Sequence, residues 1–216
     1  MSLFKCYILT GFESERHHHM IEKMEKFIDF DYEFVFYRKF SERQIDMISG
    51  IDKIRKTMRT NNLEYIKRAF SCADGHSMIM RKFLKESKFE YALVCEDDVI
   101  LPNNIFNVVE KLVQFDSDKN HWFNLNYEAS LFQDKKIDKI SDSLFVKKQK
   151  NWFGTACYLA SKNKISKIYQ LIYPILYQAD IALLKIFGEA DVVYGSGVLM
   201  DEDNLKTIIG TENEHS

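Results

Sequence analysis

The stretch Tyr91 to Asn103, YALVCEDDVILPN, decides how this chain is read. Apolar residues lead into three consecutive carboxylates, Glu96, Asp97 and Asp98, and Val99, Ile100, Leu101 and Pro102 follow. The apolar run predicts a buried strand, Tyr91 to Cys95. Carboxylates are costly to take out of water, so a knot of them at a strand's end faces solvent, a base or a metal. Taken alone, the three acids read equally as a solvated turn with a helix-capping carboxylate or as the oxygen ligands of a hard cation such as Mg²⁺ or Mn²⁺. Alternation along an extended segment would put Glu96 and Asp98 on one side and Asp97 on the other.

Working outward, Leu3 to Thr10 predicts a first buried strand, with Gly11 permitting the turn after it. Ser14 to Phe27 predicts a helix, Glu33 to Tyr37 a second strand, and Arg38 to Thr60 a polar loop with short helical turns. Asn61 to Ser87 has helical spacing, with a break expected at Gly75. Pro102 fits the first turn of a helix over Asn103 to Phe115. Trp122 to Asn126, a hairpin around Leu144 to Val146, and Trp152 to Ala160 are strand candidates. Helices follow from Lys162, meeting at Pro174, and Val192 to Met200 holds one or two short strands. Strand and helix alternate in the first half, which predicts an α/β layer built on a mostly parallel sheet, with a more mixed second half. In such layers ligands gather at the carboxyl ends of the strands. If the first and third strands are neighbours, Thr10-Gly11 and Glu96-Asp97-Asp98 share one edge.

The composition bounds the function. A chain of 216 residues with 46% hydrophobic and 14% aromatic content can bury a core as one domain, 1–216, ending in a flexible tail. The 30 Lys and Arg against 32 Asp and Glu argue against binding nucleic acid by bulk charge. Cys6, Cys72, Cys95 and Cys157 share no CxxC spacing and read as small buried hydrophobes, which points to a reducing compartment such as the cytoplasm. No signal peptide is indicated. The apolar stretch from Ile168 to Phe187 carries Gln170, Pro174, Gln178, Asp180 and Lys185, too polar a load for a spanning helix, leaving at most contact with a membrane surface.

Four elements in order resemble glycosyltransferase family 25, which includes lipooligosaccharide galactosyltransferases and relatives of collagen galactosyltransferases. FEYALVCEDDV is similar to the family's strand-to-acid motif. SCADGH resembles its Gly-Cys-x-x-Ser-His pattern at Cys72 and His76, with Ser71 and Gly75 departing from it. GTACYLAS matches Gly-Thr-Ala-x-Tyr-x-x-Ser at Gly154, Thr155, Ala156, Tyr158 and Ser161, and QAD supplies the Asp expected after the next helix, Asp180. The N-terminal pattern keeps Arg16 but has Leu9 where Asn is expected and Phe12 where an Arg is expected.

The resemblance implies a GT-A-like, Rossmann-related single domain. It implies a metal-dependent transfer of a hexose from a nucleotide sugar, a UDP-sugar foremost, to a glycan or protein-linked acceptor, with inversion. The cofactor would be Mn²⁺ or Mg²⁺. Asp98 first and Glu96 second would hold it, with Asp97 in support. Thr10, Gly11, Arg16, His76, Gly154 and Thr155 would line the donor and acceptor sites. Asp180 would be the general base, with Asp191 and the acids Asp201, Glu202 and Asp203 as runners-up. Each has a plainer reading: Asp180 as a helix cap, His76 as a satisfied core histidine, Arg16 as a solvated helix residue, Gly154-Thr155 as a tight approach to a strand. His17, His18 and His19 point about 100° apart on a helix and cannot converge on one ion. FVFYRKF, Phe34 to Phe40, is basic and aromatic enough to stack a base, but its alternating half reads more simply as a core strand. Two rivals stand beside the transferase: a nucleotidyltransferase, which lacks a phosphate loop here, and a glycosyltransferase-like domain that binds without catalysing.

Overall fold

The computed structural model describes residues 4–11, 15–27, 31–85, 88–125, 138–149, 154–187 and 190–200. The expected helix start at Ser14, the strand start at Trp152, the acids Asp201, Glu202 and Asp203, and the tail lie outside these residues.

The first half alternates as the sequence predicts. Strand β1 (Phe4–Thr10) is followed by α1 (Glu15–Met24), β2 (Tyr32–Phe36), α2 (Glu42–Ser49), α3 (Ile51–Met58), α4 (Leu63–Lys85), β3 (Tyr91–Glu96), β4 (Val99–Ile100) and α5 (Ile105–Phe115). The second half adds β5 (Trp122–Asn124), β6 (Asp138–Lys139), β7 (Phe145–Gln149), β8 (Cys157–Ser161), α6 (Lys162–Ile168), α7 (Ala179–Phe187), β9 (Ala190–Tyr194) and β10 (Leu199–Met200). Arg38 to Thr60 is more ordered than a loop, because Ser41 opens α2 with a reciprocal capping box to Gln44 and Gly50 separates α2 from α3.

Eight strands form one sheet in the order β2-β1-β3-β8-β5-β9-β7-β6. The β1–β2, β1–β3 and β5–β9 pairs are parallel, while β3–β8, β5–β8, β7–β9 and β6–β7 are antiparallel. The α/β layer is as expected. Its pairing is more mixed than the mostly parallel sheet read from the sequence, because β8 and β7 run against their neighbours while β9 runs parallel to β5. Successive residues of β1 show the sheet's two faces: Tyr7 and Leu9 pack with α2, α3, α4, α6 and α7, while Cys6 and Ile8 pack with Met20 and Met24 of α1 and with the apolar face of α5.

The break expected at Gly75 does not occur. Helix α4 runs unbroken past it, with His76 and Gly75 both buried. A Cβ at Gly75 would sit 2.5 Å from Leu9 Cδ1, so the glycine serves close approach of α4 to β1 rather than a turn. The cysteines are free thiols, and Cys6, Cys95 and Cys157 are fully buried. Among the described residues no helix is long and apolar enough to cross a membrane.

Candidate active site

The register places the acids. Leu9 on β1 lies opposite Glu96 on β3, so Thr10-Gly11 and Glu96-Asp97-Asp98 meet at one edge of the sheet. Strand β8 runs the other way, with Cys157 opposite Cys95, and therefore begins where β3 ends. Gly154 and Thr155, just before β8, are brought to the same edge, and Glu96 N–H donates to the Ala156 carbonyl at 2.7 Å. Gly154 holds φ +92°, a left-handed conformation that glycine tolerates best, and its carbonyl accepts from Asn124 Nδ2 at 3.0 Å. Alternation stops at Glu96, because Asp97 and Asp98 form a turn before β4.

The three acids have different surroundings. Asp97 is fully engaged: its Oδ2 accepts from Thr10 Oγ1 at 2.6 Å and from Gly11 N–H at 3.4 Å, while Arg16 Nη1 lies 3.7 Å from Oδ1. It holds the loop after β1 to the acid turn. Glu96 Oε1 accepts from Thr155 Oγ1 at 2.9 Å and lies 3.1 Å from His76 Nε2. Burial pushes the Glu96 carboxyl up, but the hydrogen bond and charge of His76, the Thr155 bond and Arg16 outweigh it and hold it below the ordinary range. The other ring nitrogen of His76, Nδ1, meets Tyr158 Oη at 3.2 Å, and Tyr158 stacks on Trp122. This buried histidine is thus clamped to the site from a helix on one face of the sheet.

Asp98 differs. Its Oδ1 is buried and finds no hydrogen-bond partner among the described residues. Arg16 Nη1 lies 3.8 Å from Oδ2. Burial first, then the charges of Glu96 and Asp97, push its carboxyl up to about 7. A buried carboxylate oxygen without a donor, beside two other acids, is the chemistry that a hard divalent cation satisfies.

Two cavities meet here. The larger, about 580 Å³, is lined by all three acids and Arg16 on one side and by Tyr37, Phe40, Lys39, Lys67 and Arg68 elsewhere. The smaller, about 210 Å³, is lined by Gly154, Thr155, Gln178, Asp180 and Tyr65. Glu96, Cys72 and Arg68 line both. Arg68, Cys72 and His76 recur every fourth residue of α4 and form one stripe along the site.

Arg16, Glu96, Asp97 and Asp98 line the larger cavity, and Gly154, Thr155 and Asp180 the smaller. Thr10 and Gly11 join them through Asp97, and His76 through Glu96. Asp180 stands apart from the acid turn, in the first turn of α7, with Oδ1 accepting from Ile181 N–H at 2.7 Å. Asp191 is not at the site: it is the second residue of β9 and pairs with His121 at 2.8 Å. His17 packs edge-on against Phe34 and Phe36. Sequence reasoning missed Arg38, which binds buried Asp74 with two hydrogen bonds of 2.8 and 2.6 Å, and Tyr173, whose hydroxyl also meets Asp74. It also missed the cationic wall of Lys39, Lys67 and Arg68, scattered over a loop and a helix. The four-residue spacing of Arg68, Cys72 and His76 was the signal that could have found part of it.

The family model described as Glycosyltransferase family 25 (LPS biosynthesis protein) matches residues 12–183. The chain belongs to this family and is a glycosyltransferase, an enzyme that takes a sugar donor and an acceptor. No curated protein matches it significantly. Among solved structures it is similar to A197 from STIV, with a TM-score of 0.50 and 11% identity over 87% of this chain and 80% of that one. A glycosyltransferase involved in the glycosylation of the major capsid of PBCV-1 is also similar, at a TM-score of 0.40 and 10% identity over 79% of this chain and 68% of that one.

Proposed function

We propose that the protein transfers a hexose from a nucleoside diphosphate sugar, a UDP-sugar foremost, to a hydroxyl of a glycan or protein-linked acceptor, with inversion and with Mn²⁺ or Mg²⁺. The observation that carries this is the buried, partnerless Oδ1 of Asp98 on an acid turn that lines the larger cavity. Asp98 is the principal anchor for the cation and Glu96 the second. A divalent cation there would offset the charge that builds on the departing nucleoside diphosphate.

The chain's own residues do the rest. Asp97 ties Thr10 and Gly11 to the acid turn and so fixes where Asp98 points. Arg16, Lys67 and Arg68 bring positive charge to the cavity wall, suited to diphosphate oxygens, and Tyr37 and Phe40 give aromatic surface for a nucleobase. The acceptor enters the smaller cavity, where Asp180 takes the proton of its hydroxyl. The reacting carbon lies where the cavities join, beside Glu96.

Thermal unfolding with UDP, GDP, UDP-glucose and UDP-galactose, each with and without Mn²⁺, tests this. A ligand specific for the folded state stabilises by about 2.7 kcal/mol at a hundred times its dissociation constant. Stabilisation that needs both Mn²⁺ and Asp98, and is lost in Asp98→Ala, is the expected result. A nucleotide response unchanged in Asp98→Ala would remove the cation from the account. No response to any nucleotide would favour a family member that binds glycans without transferring sugar.

A further inference from the structure

Cys72, His76 and Glu96 offer a thiol, an imidazole and a carboxylate whose ligand atoms all lie within 4.8 Å of one another. Cys72 and His76 are one helical turn apart on α4, and Glu96 ends β3. From this geometry we infer that the protein has a second cation site, selective for zinc-class ions, that overlaps the hard-cation site at Asp98 by sharing Glu96.

The ligand types carry the selectivity. Sulfur and imidazole favour borderline-soft ions such as Zn²⁺ over Mg²⁺, which wants oxygen alone. A tetrahedral zinc holds S, N and O ligands roughly 3.3–3.7 Å apart, so the trio closes on an ion with side-chain shifts of about an ångström. His76 is nearly fully buried and held by Tyr158 through Nδ1, which leaves Nε2 aimed at Glu96. A ligating imidazole whose other nitrogen is fixed by a hydrogen bond is the usual arrangement in metal sites. Thr155 steadies the carboxylate in the same way. Both cavities are lined by Cys72 and Glu96, so the fourth position of a tetrahedral ion would open toward their junction. The site therefore has three protein ligands and one exchangeable position.

Zinc here takes Glu96 away from the hard cation and puts positive charge beside it. On the transferase reading above, Zn²⁺ therefore inhibits the Mn²⁺-supported reaction. The binding itself does not depend on that reading.

Titration of the whole chain with Zn²⁺ and Co²⁺ tests the site directly. The expected result is one equivalent of tightly bound Zn²⁺, a thiolate-to-cobalt charge-transfer band with Co²⁺, and no such binding by Mg²⁺. Cys72→Ser, a near-isosteric change, should lose both the equivalent and the band while unfolding at the temperature of the wild type. If Cys72→Ser does not fold, Cys72→Ala and His76→Gln give the same comparison. Thr155→Ala should weaken zinc by about 10- to 100-fold while keeping the band. A band retained in the Cys72 variants would put the metal on other thiols, such as Cys6, Cys95 and Cys157, and overturn the assignment. Absence of a zinc equivalent in the wild type would overturn it outright, whatever the transferase assay shows.

Discussion

Asp98 is costly to the fold, and on the proposed function it is also the residue that would hold the cation. Its carboxyl is pushed up to about 7, well above an ordinary Asp, by burial and by its acidic neighbours. The folded state therefore holds its proton longer than the unfolded chain. In the metal-free protein this group costs no stability below about pH 4, costs increasingly as pH rises from about 4 to 7, and costs a constant amount above that. Asp98→Asn removes the charge. We expect the metal-free variant to match the wild type near pH 4 and to exceed it at pH 8, by on the order of 2 kcal/mol after discounting for water and local relaxation. Denaturant unfolding of both proteins across that range checks it. Equal stabilities at pH 8 would mean that Asp98 is better solvated than its surroundings indicate. On the proposed function, stability is given up at the residue that would meet the cation.

At the scale of elements, α4 joins the two cavities. Its Asp74 is almost wholly buried and receives Arg38 from the loop after β2 and the Tyr173 hydroxyl from the segment before α7. Lys39 and Phe40, which follow Arg38, wall the larger cavity. Gln178 and Asp180, which follow Tyr173, wall the smaller. Arg38→Ala leaves a buried carboxylate without its cation and is expected to cost about 2 kcal/mol in chemical denaturation. Replacing Lys67, whose partner Glu64 is exposed, should leave stability almost unchanged in the same measurement. Gly75→Ala sets two effects against each other. Helix propensity gains about 1 kcal/mol, and overpacking against Leu9 costs about 1–3 kcal/mol. Because Leu9 is itself buried on β1, we expect the loss to win and the melting temperature to fall. A rise would show that Leu9 moves aside freely.

The whole molecule also shows which features a sequence can carry. Strands β1, β2 and β3 were legible because continuous apolar runs ended in turn residues or charge. The acid turn was legible only with its neighbours, because three acids after a strand alone read equally as a solvated turn. Gly154, Thr155 and Asp180 were legible only as a pattern in order. Their meeting with Glu96 follows from β8 pairing antiparallel to β3, which no local period announces. The mixed sheet escaped for the same reason: strand direction is a tertiary property. Gly75 was misread as a helix break because its role, close packing against Leu9, lies 66 residues away in the chain. Arg38 and Asp74 were not singled out, because neither has a partner at helical or strand spacing.

The central claim is that the edge shared by β1, β3 and β8 is a metal-assisted donor site with an acceptor base across the junction. Hydrolysis of UDP-glucose and UDP-galactose in the absence of acceptor, with and without Mn²⁺, tests it most directly in the wild type, Asp98→Asn and Asp180→Asn. Release of UDP should be slow, should need Mn²⁺ and should fall by at least about 100-fold in Asp98→Asn. Asp180→Asn should keep the Mn²⁺-dependent stabilisation by UDP, and its loss of sugar transfer should show only when an acceptor is supplied, since the proposed part of Asp180 is to take the acceptor's proton. Metal-independent release, or release undiminished in Asp98→Asn, would contradict it.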